Sequence, residues 1–225
     1  MPKPTFCYDY PRPAVTTDIC LFTVVDDELR ILLINRGAEP FKGLWALPGG
    51  FLQETETLDE CAARELLEVT GVKSAHLEAF ATFSDPHRDP RGRTITAAYL
   101  ALVPAGDHIL QSGSDAEDAR WHPVRRLPKL SFDHRDIITA GRQALIAKLD
   151  QEPLAIALLP PGFSLTQIQK VYEAVEGQPL DKRNFRRSIL AKGWIVETGE
   201  FERGRQRPAM LYTHQPSGQA REGQG

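Results

Sequence analysis

Residues 50–72 place acidic side chains and one arginine at spacings that suit a metal site. The stretch reads GFLQETETLDECAARELLEVTGV, and residues 57–70 of it are predicted to form one helix. At 100° per residue, Glu65 and Glu68 lie on one flank of that helix, with position 69 beside them. Three carboxylates there would hold Mg²⁺, which prefers octahedral oxygen ligands and leaves room for substrate phosphates. Glu65 and Glu68 are therefore the candidate metal-binding and catalytic residues.

The third carboxylate is missing, because residue 69 is a valine. The segment matches the pattern G-x5-E-x7-R-E-U-x-E-E-x-G-U, in which U is aliphatic, at eight of nine specified positions and fails only at Val69. It resembles the Nudix box, and the resemblance implies an α/β/α sandwich around a mixed sheet for residues 1–152. Loss of one anionic ligand weakens a site that must neutralise diphosphate charge. This predicts weak hydrolysis or none.

Two alternatives stay open for this segment. Asp115, Glu117 or Asp118 could supply the missing ligand from a later loop. The chain would then be an active, Mg²⁺-dependent ADP-ribose pyrophosphatase with an accessory DNA-binding domain. An ordinary amphipathic helix with a solvated Glu/Arg face would leave the same residues without chemistry, but eight matched positions over 23 residues argue against it.

The flanking pattern supplies the elements that such a domain needs. Val15–Val24 and Leu29–Asn35 are apolar, β-branched runs separated by an acidic turn, which predicts a hairpin. Further predicted elements are the strands His76–Phe83, Thr94–Val103 and Ala119–Val124 and the helix Ile137–Leu149. The run LAIALLPPGF at Leu154–Phe163 ends in Pro-Pro-Gly and is predicted to be a linker to a second unit.

Composition argues against a membrane-spanning or disulfide-rich protein. No run approaches the roughly 18 apolar residues of a membrane span. The first thirteen residues contain prolines and no apolar signal core. Three cysteines without paired spacing give no disulfide framework. A cytoplasmic location, with no membrane partner, is expected.

The net charge of −3 conceals a division of the chain. Residues 182–207 carry eight basic and three acidic side chains, a net charge of +5, so the remainder carries −8. Such an asymmetry predicts a polyanion-binding module attached to an acidic domain.

Residues 153–213 follow the order of a winged helix-turn-helix, and residues 214–225 are predicted to be a disordered polar tail. The predicted parts are a helix from Ser164 or Thr166 to Val175, a turn at residues 177–179, a helix Leu180–Ala191 and a basic hairpin at residues 199–207. The fold class is therefore α/β, with an N-terminal sandwich and a C-terminal winged helix.

The second of these helices is predicted to read DNA. Phe185 and Ile189 would be buried, so Arg183, Asn184 and Arg187 would face outward. Arginine suits guanine and asparagine suits adenine in a major groove, whereas arginines of a wing suit phosphates or a minor groove. The predicted DNA-binding residues are Thr166, Gln167, Lys182, Arg183, Asn184, Arg186, Arg187, Arg203, Arg205 and Arg207.

Three C-terminal motifs accompany the box: FSLTQIQKVYEAVEG, LDKRNFRRSIL and ETGEFERGRQRPAMLY. Together they resemble the Nudix-related transcriptional regulators of NAD metabolism, the NrtR family, over almost the whole chain. The resemblance implies a homodimer that binds a palindromic double-stranded operator and represses genes of NAD biosynthesis or salvage. It also implies a nucleotide effector, ADP-ribose or a related NAD-derived metabolite. A less favoured alternative is an RNA-associated Nudix protein.

The loop SDPHRDPRGR, residues 84–93, resembles the loop after the box in ADP-ribose pyrophosphatases. Its arginines are suited to charge-assisted, forked hydrogen bonds with a diphosphate. The predicted ligand-binding residues are Arg88, Asp89, Arg91 and Arg93. A solvated Pro/Gly loop between strands is the alternative for any one of them.

Overall fold

The computed structural model describes residues 9–71, 76–106, 116–202 and 208–215. The strands are β1 (Ala14–Val25), β2 (Glu28–Arg36), β3 (Trp45–Ala46), β4 (Gly49–Phe51), β5 (His76–Phe83), β6 (Thr94–Leu102), β7 (Ala116–Pro123), β8 (Ile195–Phe201) and β9 (Met210–His214). The α-helices are α1 (Leu58–Thr70), α2 (His134–Leu149), α3 (Leu165–Glu176) and α4 (Lys182–Ala191). Short 3-10 helices lie at Val124–Arg126 and Leu154–Leu158.

One mixed sheet of seven strands organises the N-terminal part. Its main order is β3-β2-β1-β6-β5, while β4 pairs with β1 and β7 pairs with β2. The pairing of β1 with β6 is parallel and the other pairings in this sheet are antiparallel. Asp26 and Asp27, both with positive φ, make the tight turn of the predicted β1–β2 hairpin.

The sheet has a helix on each face. Successive side chains of a strand point to opposite faces, and in β1 the side chains on both faces are apolar. Ile19 and Leu21 of β1 pack in the cluster that contains the buried side of α1. Cys20 and Phe22 pack in the cluster that contains the buried side of α2. The predicted α/β/α sandwich around a mixed sheet is confirmed.

The ends of α1 are set by its sequence. Thr57 caps the helix by accepting from the Glu60 amide, and the Glu60 carboxylate accepts from the Thr57 amide in return. Gly71 ends the helix in the left-handed conformation, with φ 68°. The helix predicted over residues 57–70 is confirmed to within one residue.

Helix α2 begins three residues before the predicted start, at His134, and packs closely on the sheet. A Cβ at Gly141 would lie 2.9 Å from the Cys20 Sγ, so only glycine permits this approach. With 16 residues, α2 is the longest helix that the structure describes. No helix of this described part is both long and apolar enough to cross a membrane.

The C-terminal part is a winged helix-turn-helix, as predicted. Ser164 caps α3 in a capping box with Gln167, and Asp181 caps α4 by accepting from the Asn184 amide. Strands β8 and β9 pair antiparallel and form the wing's sheet. β9 extends through His214, which the sequence placed in the tail; residues 216–225 lie outside the described part.

The segment predicted as a linker is packed rather than exposed. Residues 154–158 form a 3-10 helix, and Leu154, Leu158 and Phe163 are buried in the same cluster as α2 and α3. Apolar side chains of the run favour burial over a solvated tether because water exclusion stabilises them. The two parts of the chain therefore share one continuous hydrophobic core.

Candidate functional site

Arg64 lies at the centre of the box. Its Nε and Nη2 donate to the two carboxylate oxygens of Glu56 at 3.0 and 2.8 Å, in a bidentate pair. Its Nη1 donates to Glu65 at 2.7 Å and lies 3.5 Å from Glu68. Hydrogen bonds from Arg64 lower the pKa of Glu56 to about 2. One guanidinium thus neutralises much of the carboxylate cluster.

Glu65 lies directly against β4. A Cβ at Gly50 would overlap the Glu65 carboxylate at 1.9 Å, which explains the glycine at the start of the box. Burial raises the pKa of Glu65 above its usual value, and the hydrogen bond from Arg64 opposes that effect. The carboxylate is held between the helix and the strand, not displayed to solvent.

Val69 does not face the carboxylates across an open site. Its side chain is 5% exposed and packs with Ala62 and Leu66 in the core between α1 and the sheet. The substitution therefore replaces an acidic ligand with an apolar contact to the core.

The described residues do not fit a dedicated Mg²⁺ site. Among them, no three His, Cys, Asp or Glu side chains are grouped so that they could hold a metal ion. Asp118 pairs with Arg120 at 2.6 Å. The next residue, Ala119, packs in the cluster of α1, so Asp118 points to the opposite face of the sheet. Asp115 and the Glu117 side chain lie outside what the structure describes.

The main candidate for a ligand site is a cleft beside the box, the central cleft. It lies between β1, β4, the 84–93 loop and the start of α2, and β4 joins it to the Glu65 carboxylate. The polar and aromatic side chains that line it are Thr16, Thr17, Asp18, Arg36, Glu39, Phe51, Arg88, Asp89, Arg91, Thr94, Phe132 and His134.

Arg88 is the buried hub of the central cleft. Its side chain is 4% exposed, its Nε and Nη2 donate to Asp133 at 2.9 and 2.8 Å, and Nη2 also donates to Asp18 at 3.1 Å. Asp133 occupies the N-cap position of α2, and its side chain bonds to Arg88 rather than capping the helix. Arg88 therefore ties the loop to β1 and α2, and these bonds use three of its five N–H donors.

Arg91 is the more accessible arginine of the loop. Its side chain is 42% exposed and makes a bidentate pair with the buried Asp89, with an Nη2–Oδ2 distance of 2.7 Å. Its Cζ lies 5.1 Å from the ring centre of Phe51 and 5.6 Å from that of Phe132. Arg93, outside the cleft lining, donates to the Ser84 carbonyl and closes the loop.

Aromatic rings lie beside the loop at the start of α2. Phe132 has φ 51° and contacts the ring of Phe41, φ 64°, edge to face at 4.9 Å. Backbone in this region costs a non-glycine residue energy and marks functional positions in many proteins. The Arg36 guanidinium lies 4.9 Å from the Phe132 ring centre. Planar aromatic and guanidinium groups therefore surround the cleft.

His134 joins the cleft to the loop before β4. Its Nδ1 accepts from the Leu47 amide at 2.8 Å, and its Nε2 lies 3.5 Å from Asp18. Burial lowers the pKa of His134 below its usual value, which keeps the ring neutral and Nδ1 able to accept.

The second candidate site is the outer face of α4. Lys182, Arg183, Asn184 and Arg187 are exposed, and Ile189 is buried, as predicted. The Arg187 Nη2 donates to the Asn184 side-chain oxygen at 3.2 Å, so the two side chains form one polar surface. This helix presents cations without any acidic residue between them.

The other predicted DNA-binding residues differ in placement. Arg186 is half-buried, and Thr166 is half-buried in the first turn of α3. The Gln167 side-chain oxygen accepts from the Ser164 amide at 2.7 Å and is thereby part of the helix cap. Arg203, Arg205 and Arg207 lie outside the described residues.

The sequence interpretation missed several residues of the central cleft: Asp18, Arg36, Phe51, Phe132 and His134. Asp18 could have been found from the sequence, because an aspartate inside the apolar run of β1 must have a buried partner. The positive φ of Phe132 has no counterpart in residue type and could not be found from the sequence.

Comparisons with known proteins divide the chain in the same way. The model of the NrtR DNA-binding winged helix domain matches residues 155–214, and that of the NUDIX domain matches residues 15–140. The Acinetobacter baylyi protein named ADPR responsive transcriptional repressor NtrR is 39% identical over 208 residues, 91% of this chain and 83% of that protein.

Two solved structures are similar to the chain over one or both parts. Shewanella oneidensis NrtR complexed with a 27mer DNA has 35% sequence identity and a TM-score of 0.77, and the match covers 90% of this chain and 94% of that one. The NUDIX domain of the same protein complexed with ADP ribose has 37% identity and a TM-score of 0.56, over 61% of this chain and 94% of that one.

The buried hub gives a prediction about stability. Replacing Arg88 by alanine leaves Asp18 and Asp133 buried without their cation, which is expected to lower the free energy of unfolding by about 3–5 kcal/mol. Urea denaturation of Arg88→Ala measures the loss. Arg93→Ala, which removes an exposed arginine of the same loop, is the control and should change stability by less than about 0.5 kcal/mol. Equal losses in the two variants would contradict a structural role for Arg88.

Proposed function

This chain belongs to the NrtR family of Nudix-related transcriptional regulators, and we propose that it represses genes of NAD biosynthesis or salvage in response to ADP-ribose or a related NAD-derived nucleotide. The proposal rests on one observation, the combination of two sites in one chain. The carboxylates of the box, which lack the third acid, lie beside the central cleft, and the basic outer face of α4 is exposed elsewhere on the chain. The first arrangement favours binding without turnover, and the second favours a polyanionic partner.

The effector is proposed to bind in the central cleft. The 84–93 loop, with Arg88, Asp89, Arg91 and Arg93, forms one side of the site. Arg91, which lines the cleft with a side chain 42% exposed, is proposed to make a charge-assisted contact to a diphosphate. Arg88 and Asp89 are proposed to act by holding the loop and Arg91 in place. The half-exposed ring of Phe51 suits stacking of a nucleobase.

Hydrolysis is proposed to be weak. Glu65 and Glu68 remain as the residual metal-binding and catalytic pair, but both face Arg64 and the third acid is replaced by Val69. A site with this donor set does not concentrate the positive charge that diphosphate cleavage requires. We therefore propose that Mg²⁺ is not needed for effector binding.

The DNA partner is proposed to be a palindromic double-stranded operator bound by a homodimer. One recognition helix offers few base contacts, whereas a two-fold pair can engage two half-sites about one helical turn apart or a multiple of it. Residues 1–152 would sense the ligand and residues 153–213 would bind DNA. Location in the cytoplasm follows from this proposal, because the chromosome of a bacterium lies there.

Effector binding should weaken DNA binding. We expect ADP-ribose to lower the affinity for a duplex selected in vitro from random DNA by about tenfold, equivalent to about 1.4 kcal/mol of coupling. Calorimetry with and without that duplex measures both affinities, and reciprocity requires the duplex to weaken ADP-ribose by the same factor. EDTA should leave ADP-ribose binding unchanged, and ribose 5-phosphate serves as the ligand control. Absence of ADP-ribose binding would remove the sensor proposal.

The same preparation distinguishes the enzyme alternative. Rapid Mg²⁺-dependent cleavage of ADP-ribose that is abolished in Glu65→Gln would establish a pyrophosphatase and contradict weak hydrolysis. Slow or undetectable release of AMP and ribose 5-phosphate is the expected result.

The recognition helix should supply specificity. Asn184→Ala and Arg187→Ala are each expected to cost about 1–3 kcal/mol on the selected duplex and little on random DNA, because both side chains are proposed to contact base edges. Fluorescence anisotropy at fixed salt measures the two affinities. Lys129→Ala, an exposed change near the start of α2, is the control. Equal losses on both DNAs would reduce these residues to electrostatic contacts.

The assembly should be dimeric. Light scattering of the full chain is expected to give twice the chain mass of 25.1 kDa when free, and twice that mass plus the mass of the duplex in the DNA complex. A monomer under both conditions would exclude the two-fold arrangement.

A further inference from the structure

Helix α2 contacts both candidate sites. Its first residue, His134, lines the central cleft together with Phe132, which precedes the helix. Eight residues further along, about 12 Å at 1.5 Å per residue, Arg142 contacts the winged helix. The helix between them is continuous and packs on the sheet through Ile137, Ile138 and Gly141. A displacement of the first turn of α2 would therefore also displace Arg142.

Arg142 holds the carbonyl end of α3. Its Nε donates to the Val175 carbonyl at 3.2 Å, and its Nη2 donates to the carbonyls of Val175 and Glu176 at 2.9 and 3.1 Å. The last carbonyls of a helix have no donor within the helix, and a cation there also interacts favourably with the helix dipole. One residue of the N-terminal part thus completes the end of a helix in the DNA-binding part.

Arg125 adds a contact to the next carbonyl. Its Nη2 donates to Gly177 at 2.9 Å. Gly177 ends α3 with φ 85°, and a Cβ there would lie 2.9 Å from Arg125 and 3.1 Å from Arg142. The helix end and the two arginines are therefore in close contact at the start of the helix-turn-helix turn.

The far side of the turn is tied to α3 as well. Glu173 of α3 accepts from the Leu180 amide at 2.9 Å, and Gln169 donates to the Leu180 carbonyl at 3.1 Å. Asp181 then caps α4 through the Asn184 amide at 2.8 Å. Because the turn is fixed at both ends, the orientation of α4 follows that of the end of α3.

We propose that Arg142 is the positioning residue through which the central cleft sets the orientation of the DNA-reading helix α4. The proposal rests on the proposed function, since it requires an effector in the cleft and DNA on α4. Arg142 lines neither the cleft nor the outer face of α4. Its loss should therefore separate ligand binding and DNA binding from the coupling between them.

Other contacts between the two parts are less suited to this role. Lys170 pairs with Asp27 at 2.6 Å, but both side chains are about half exposed, and exposed ion pairs contribute little. Tyr172 donates to the Leu149 carbonyl at 2.8 Å, at the opposite end of α2 from the cleft. Arg142 combines three hydrogen bonds with a position between the cleft and the turn.

The test compares full-length wild type with Arg142→Ala in three measurements. They are the ADP-ribose affinity without DNA, the affinity for the selected duplex without ligand, and the duplex affinity at saturating ADP-ribose. In Arg142→Ala, the first two should stay within about threefold of wild type, and the ligand-induced change should fall from about tenfold to about twofold or less. Arg142→Lys, which keeps one donor group, should restore part of the change.

Arg135→Ala is the matched control. Arg135 lies on the same helix and also donates to a backbone carbonyl, that of Pro128, within the N-terminal part. It should keep the full tenfold response. If Arg142→Ala fails to fold, as judged by its thermal transition, Arg142→Lys and Arg125→Ala decide the question, because Arg125 is exposed and makes one hydrogen bond.

The outcomes separate the proposals. A full response in Arg142→Ala, or in both substitute variants, would overturn the role of Arg142 while leaving the effector proposal intact. No ADP-ribose binding by wild type would overturn the proposed function, and this proposal with it. A reduced response with both basal affinities preserved is the result that supports it.

Discussion

The continuous hydrophobic core between α2, the Leu154–Leu158 helix and α3 is the constraint on which the rest of this structure depends. The winged helix is small, and its apolar face is closed by side chains from the N-terminal part. Water exclusion over such a shared surface fixes the two parts against each other far more firmly than a solvated linker would. The polar contacts at the end of α3 then decide the angle within that fixed arrangement. The regulation we propose is therefore a change in orientation rather than a release of one domain from another.

Charge, unlike the hydrophobic core, is distributed unevenly between the two parts of the chain. On the cleft side of the molecule, carboxylates pair with the half-buried Arg64 and the buried Arg88 and balance their charges. The outer face of α4 leaves its cations to solvent. This basic face is suited to a polyanion, and the central cleft is proposed to select its ligand by shape and by individual contacts.

Local signals predicted the elements well and the cleft poorly. The caps of α1 and the hairpin turn follow from residue types a few positions apart, and the spacing of Phe185 and Ile189 correctly gave the buried side of α4. Arg88 shows where this reasoning fails. The sequence shows that Arg88 is charged, but not that it pairs with Asp18 and Asp133. These two residues lie 70 and 45 residues away along the chain. Burial of the linker was not predictable for a related reason, since Pro-Pro-Gly marks a bend but not whether the apolar run before it is buried.

The burial of Val69 opposes any carboxylate at that position. A carboxylate restored at that position would enter a contact with Ala62 and Leu66 that is now closed to water, and burying a charge there is costly without a cation to meet it. The neighbouring cation, Arg64, is already shared among three glutamates. Val69→Glu alone would therefore lower stability before it could add a metal ligand. A third carboxylate at this position would need further changes, in the packing around residue 69 and in the pairing of Arg64.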